Sequence, residues 1–152
     1  MSNLNNGQTD VIRGIVDFIN QNSELLNLPV VKFDELSTSK DSICLTTTKD
    51  MQPQEKVADV TGTAFRGTIY LSLTYRVMSS KVGMKDLDYA RVLDNAFEYL
   101  RQNYKSIEDE FFFIDNLTQK SGGVLETVYS GGVKDFNCTF IVAYERSVKK
   151  WD

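Results

Sequence analysis

The sequence contains no histidine. That removes the commonest general base near neutral pH and the commonest metal ligand. Ser–His–Asp and Cys–His mechanisms cannot be built from this chain alone. The only two cysteines, Cys44 and Cys138, lie far apart, and a zinc site of ordinary type needs more ligands than they supply. Each sits among apolar neighbours in an expected strand and reads as a small buried hydrophobe, although a disulfide between them stays geometrically open. Proline is scarce as well, with two in 152 residues, and no Pro- or Ser-rich linker divides the chain. No apolar run approaches the roughly 20 residues that span a bilayer. The polar start, from Ser2 to Thr9, lacks the apolar stretch of a signal peptide, so the expected site of synthesis is the cytoplasm without export by an ordinary signal.

A basic excess is also missing. Seventeen Lys and Arg face 21 Asp and Glu, giving a formal charge of −4 and a pI near 4.9. A duplex-binding domain shows a basic face that neutralises phosphates. Here the densest basic cluster is only Arg146, Lys149 and Lys150. Sequence-specific nucleic acid is therefore not an expected partner, and neither is a membrane.

What is present suits one folded domain over residues 1–152, with a polar arm at 1–9 and a charged tail at 147–152. The composition, 41% hydrophobic and 25% charged, is ordinary for globular chains. A first helix is expected from about Asp10, with Val11, Ile12, Ile15, Phe18 and Ile19 on one face. It should fade between Asn20 and Ser23, and Leu25, Leu26 and Leu28 add a short turn before Pro29. Gly14 reads as a point of close packing. Strands are expected at Val30–Phe33 and Ser42–Thr48. The stretch Lys49–Lys56 (KDMQPQEK) reads as a mobile loop.

The strongest pattern runs from Phe65 to Val77. Odd positions read Phe65, Gly67, Ile69, Leu71, Leu73, Tyr75, Val77; even positions read Arg66, Thr68, Tyr70, Ser72, Thr74, Arg76. That alternation predicts a long strand with one apolar and one polar face. A second helix, capped by Asp86 or Asp88, follows through Tyr89, Leu93, Ala96, Phe97, Leu100 and Tyr104. Further strands are expected at Phe111–Ile114, at Val124–Tyr129 between two Gly-Gly pairs, and at Phe136–Tyr144. The predicted fold class is α+β: one antiparallel or mixed sheet of about six strands with two helices on one face, in the order α-β-β-β-α-β-β-β.

Phosphate loops are not recognisable: Gly62-x-x-x-x-Gly67 is followed by Thr68, not Lys. The carboxylates at Glu108–Glu110 and at Asp86 and Asp88 read as a solvated turn and a helix start. Glu126 with Glu145 stays open as a facing pair. No cofactor is implied, and the expectation is a protein that is not an enzyme and works through contacts. Tyr and Arg are enriched in interfaces, which singles out Arg66, Tyr70 and Arg76 on the polar strand face. The loop residues Lys49, Asp50, Gln52, Gln54, Glu55 and Lys56, and Trp151 in the tail, complete the candidate interface.

Taken together, the strand ending in Tyr75-Arg76, the helix Asp88-Tyr-Ala-Arg-Val-Leu-Asp-Asn-Ala-Phe-Glu-Tyr-Leu100 and the closing strand Asp135-Phe-Asn-Cys-Thr-Phe-Ile-Val-Ala-Tyr-Glu145 resemble the tail-terminator, or tail-completion, proteins of tailed bacteriophages. Some of these are labelled minor capsid proteins. The resemblance runs from about residue 8 to 147 and rests on element order and loose motifs. It implies a virion protein at the neck, assembled in the host cytoplasm. Such proteins form a ring, commonly a hexamer, that caps the tail tube and joins it to the head-tail connector protein. The major tail tube protein would be the other partner, and DNA would pass through the lumen of an acidic ring. Another neck component, a stopper or connector, and a monomeric assembly adaptor are the alternatives.

Overall fold

The first helix begins earlier than its apolar stripe. In the computed structural model, which describes residues 4–37, 39–48, 52–78, 86–119 and 123–148, α1 spans Asn6–Gln21. Its start is set by a reciprocal cap, not by Asp10. The Gln8 amide donates to Asn5 Oδ1 at 2.9 Å, and the Asn5 amide donates to Gln8 Oε1 at 3.1 Å. Asp10 lies one turn inside, so the expected polar arm is partly helical. Val11, Ile12, Ile15 and Ile19 are buried. Gly14 lets the helix approach the sheet: a Cβ there would sit 2.9 Å from the Phe112 ring. A single further turn, α2 (Ser23–Leu26), ends on Asn27 in the left-handed region at φ 56°, a conformation asparagine tolerates at helix ends.

Among the described residues, seven strands follow the α+β expectation, one more than predicted. They are β1 (Val31–Phe33), β2 (Ser42–Thr47), β3 (Gln54–Val57), β4 (Ala64–Val77), β5 (Phe112–Gln119), β6 (Leu125–Val128) and β7 (Lys134–Ser147), with α3 (Asp86–Asn103) between β4 and β5. The extra strand is β3. It falls in the stretch read as a mobile loop, whose residues 49–51 lie outside the described residues. Gln54-Glu-Lys-Val57 has no apolar alternation; its ladder with Thr68–Phe65 of β4 makes it a strand.

The sheet runs β1-β2-β4-β7-β5, with β3 also on β4 and β6 also on β7. Among the described residues only β1 and β2 pair in parallel. At its centre β4 and β7, 14 residues each, pair from Ala64↔Ser147 to Val77↔Lys134. Each has an interrupted strand on its outer side. β2 registers with residues 71–76 of β4 and β3 with 65–68. β5 registers with residues 140–146 of β7 and β6 with 134–137. β3 and β6 therefore hang at diagonally opposite corners.

One face of this sheet is the core. It carries the odd residues of β4 and the even residues of β7, packed against α1 and α3. Tyr89 of α3 stacks on Phe136 at 5.6 Å and meets the edge of Tyr75 at 5.5 Å. Its hydroxyl is buried with no hydrogen-bond partner among the described residues. Tyr89→Phe should therefore raise stability by about 1 kcal/mol, measured as a higher urea midpoint at unchanged m.

The two cysteines cannot meet. Cys44 registers with Thr74, whose side chain is on the far face, whereas Cys138 registers with Leu73 on the core face, and β4 runs between their strands. Burial, the main cause in both, pushes each thiol up to about 11. At neutral pH neither should react with a thiol reagent in the native protein, and both should react in denaturant; a native titre above zero would contradict this burial.

Candidate interaction surface

The face opposite the helices is a set of cross-strand pairs. Arg66 opposes Glu145, Thr68 Ala143, Tyr70 Ile141, Ser72 Thr139, Thr74 Asn137, and Arg76 Asp135. The register places an arginine and a carboxylate across from each other at both ends. Arg76 Nε and Nη2 donate to the two Asp135 oxygens at 2.8 and 2.9 Å. Asp135 is buried, and the Arg76 guanidinium also lies 5.6 Å from the Tyr129 ring centre. Hydrogen bonds from Arg76 to Asp135 raise the arginine pKa further against its desolvation. At the other end Arg66 donates to Glu145 across the same ladder. Thr74 donates to Asn137. The middle of the face is only mildly polar, with half-buried Tyr70, Ile141 and Ala143 in adjacent rows.

The expected interface residues thus divide. Lys49, Asp50 and Trp151 lie outside the described residues. Gln52, Gln54 and Lys56 are exposed on or beside β3, and Arg66 is exposed next to Lys56. Tyr70 and Arg76 are half-buried on the open face. Glu55 points the other way, into an internal clamp. Its Oε2 accepts from Tyr144 Oη at 2.6 Å and from Arg146 Nε at 2.8 Å, and its Oε1 accepts from Arg146 Nη2 at 2.7 Å and Asn5 Nδ2 at 3.0 Å. The pair is largely buried, with side-chain exposures of 15% for Arg146 and 12% for Glu55. Burial by itself would raise the Glu55 carboxyl. The hydrogen bonds from Arg146 and Tyr144 and the Arg146 charge outweigh it and hold the group below its usual value. Burial and donation to Glu55 push the Tyr144 hydroxyl up, so it keeps its proton. The Arg146 guanidinium also covers the Phe65 ring at 4.5 Å. Arg146 therefore belongs to this clamp and not to a basic cluster at the tail.

The facing pair left open in the sequence, Glu126 and Glu145, is not a pair. Glu126 registers with Phe136 on the core side, and Glu145 lies on the open face. Nine residues of β7 separate the two levels, roughly 30 Å at strand rise. A groove of about 470 Å³ between α1 and the turn before β5 is lined in part by Asp10, Arg13, Asp17, Glu108 and Asp109. Asp109 is committed to that turn, accepting from the Phe111 and Phe112 amides at 2.7 and 3.0 Å. No group of three or more His, Cys, Asp or Glu among the described residues could hold a metal ion.

The sheet edges differ in a way the sequence did not announce. At β1 the Asn20 side chain acts as a plug: its Oδ1 accepts from the Val31 amide at 2.7 Å, and its Nδ2 donates to the Val31 carbonyl at 3.0 Å. The start of β5 is doubled by residues 108–109, with the Asp109 amide bonded to the Phe112 carbonyl at 3.1 Å. Beyond it, a register shift at Asp115 breaks the regular ladder. Bulges and covered ends are how edge strands are kept from pairing. β3 and β6 lack such protection among the described residues. The Ala58 amide bonds to the Ala64 carbonyl, and the Tyr129 amide to the Val133 carbonyl. Alternation then turns the backbone N–H and C=O of Glu55 and Val57, and of Glu126 and Val128, outward. Val57, Leu125, Val128 and Tyr129 are exposed apolar side chains at these two corners. All four residues of β6 are exposed.

No helix among the described residues is long and apolar enough to cross a membrane. No protein-family model matches the sequence, and no curated protein matches it at a significant level.

Proposed function

We propose that this chain is a structural protein of a tailed-phage virion, a tail terminator whose copies close into a ring that caps the tail tube and joins it to the head connector. The observation that carries this reading is the pair of unprotected strand edges at opposite corners of one sheet. Two different patches on opposite sides make a head-to-tail contact, which closes into a ring when the rotation allows. The resemblance of the Tyr75-Arg76 strand, the Asp88–Leu100 helix and the closing strand to tail terminators supports the same assignment. Six copies, placement in the virion after assembly in the host cytoplasm, and passage of DNA through the lumen follow from that resemblance. The formal charge of −4 suits a lumen that does not hold DNA.

The test is the mass of the purified full chain by size-exclusion chromatography with light scattering, alone and with assembled tail tubes. A closed oligomer, or a ring seen by negative-stain microscopy on the tube end, is the expected result. A chain that stays monomeric and never joins tubes would instead make it an assembly adaptor or another neck component.

A further inference from the structure

We infer that the junction between neighbouring copies is a strand pair, with β6 of one copy added antiparallel to β3 of the next. This inference rests on the ring reading and names its contact. Strand addition needs two edges whose unpaired backbone groups face each other in the same alternation. The two corners meet that condition. Val57 and Glu55 turn their N–H and C=O outward from β3, and Val128 and Glu126 turn theirs outward from β6. The side-chain faces agree as well. Val57 registers with Phe65 and Val128 with Lys134, so both lie on the helix side of the sheet; Lys56 and Tyr129 both lie on the open side. β3 and β6 also run in opposite directions within one copy, since β3 is antiparallel to β4, β4 to β7, and β7 to β6. A neighbour carrying the same face outward therefore presents its β3 antiparallel to β6.

Side chains select the register. Sliding the strands so that Glu55 faces Glu126 sets like charges across the junction, which opposes pairing. Setting Val57 opposite Val128 joins two side chains that are 55% and 62% exposed in the single chain; Asp59, level with Glu126 in this register, lies past the end of β3 with its carboxylate taken up by Thr61, Thr63 and the Ala64 amide. The same register brings Lys56 beside Tyr129, whose other neighbour is the Arg76 guanidinium. The plug at β1 and the Asp115 bulge in β5 leave these corners as the pairing edges. Because the corners differ, the contact is head-to-tail, and each copy uses both.

Cysteine trapping tests the contact directly, since the two native thiols are buried and face opposite sides of the sheet. Lys56→Cys and Tyr129→Cys are substitutions at exposed positions that the register sets as a non-hydrogen-bonded pair, the closer kind. Mixing the two single variants under mild oxidation should give a disulfide-linked species of twice the 17.3 kDa chain mass, and neither variant alone should link. The double variant should give a ladder of linked copies ending at the ring. Val128→Pro, which deletes an outward N–H and leaves the ladder to β7, should shift the wild-type oligomer to monomer, with circular dichroism confirming the fold. Linkage of Tyr129→Cys to itself would indicate a two-fold contact and overturn the proposal. So would an absence of linkage in the mixture while the wild-type protein is oligomeric, an outcome that leaves the ring reading standing. A wild-type chain that is monomeric with and without tubes removes both.

Discussion

Arg146→Ala should be among the most damaging single substitutions in this chain, lowering stability by about 3–5 kcal/mol. The reason is what it leaves behind. Glu55 would keep its place with a side chain only 12% exposed, having lost two of the donors that make its charge tolerable there. The Phe65 ring would also lose its cover. Exchanging both partners for apolar residues, Glu55→Met with Arg146→Leu, should cost less than either single change, because no unpaired charge remains. Urea unfolding of the two singles and the double would show this; additive losses would mean that the pair is not coupled. The clamp also sets a pH dependence. The folded Glu55 carboxyl lies below its ordinary value of 4.5, so its contribution is complete above that pH and is lost as the pH falls through the lower folded value. Asp59 acts in the same direction. Side-chain donation from Thr61, the Ala64 amide and Thr63 lower it from 3.8 to about 2. Acid unfolding of the wild type should therefore deepen from pH 4.5 down toward about 2, and the Glu55→Met, Arg146→Leu chain should lack the Glu55 part of that slope.

Gly67→Ala is the second large effect expected, and it needs only one carbon. A Cβ at that position would lie 2.4 Å from the Gln54 carbonyl oxygen and 2.6 Å from Tyr144 Oη. The carbonyl is backbone of β3, held in register opposite β4, so relief requires β3 to move away. Overpacking of this kind costs typically about 1–3 kcal/mol, and here the shift would also pull Glu55 from Tyr144 and Arg146. If the oligomer is joined through β3, Gly67→Ala should weaken assembly as well as stability, measured by light scattering at a temperature where the chain is still folded. An Ala variant that unfolds at the wild-type urea midpoint would show that β3 does not sit as close as these distances state.

The long alternation from Phe65 to Val77 was legible because both faces of β4 are under opposite demands: helices on one side, polar partners on the other. The same holds for α3 and for the even positions of β7. β3 was not legible, since Gln54-Glu-Lys-Val57 has no burial pattern of its own and is a strand only because β4 is long enough to take a second partner beyond β2. The start of α1 was not legible: the apolar stripe begins only at Val11 and points to Asp10, whereas the cap is made by Asn5 and Gln8 in a stretch without apolar periodicity. For the interface candidates, the alternation placed Arg66, Tyr70 and Arg76 on one face, but it could not supply the register. Only the alignment of β4 with β7 reveals that Glu145 and Asp135 stand opposite the two arginines. Glu55 shows the same limit from the other side. Its partners Asn5, Tyr144 and Arg146 are 50, 89 and 91 positions away, a convergence no local pattern records.

The central position of β7 has a consequence for synthesis. It is the last of the seven strands among the described residues, yet it lies between β4 on one side and β5 and β6, each paired to it separately, on the other. While the ribosome is still making residues 78–133, β4 has one edge with nothing to pair to, and β5 and β6 have no sheet to join. Such distant pairing is slow to form and exposes sticky edges meanwhile. A nascent chain lacking β7 would thus have nothing to hold β6 in the sheet and no Arg146 to hold Glu55 of β3. Under the proposed ring reading, a copy would have to carry β7 before it could pair with a neighbour, so β7 would act as the checkpoint for joining.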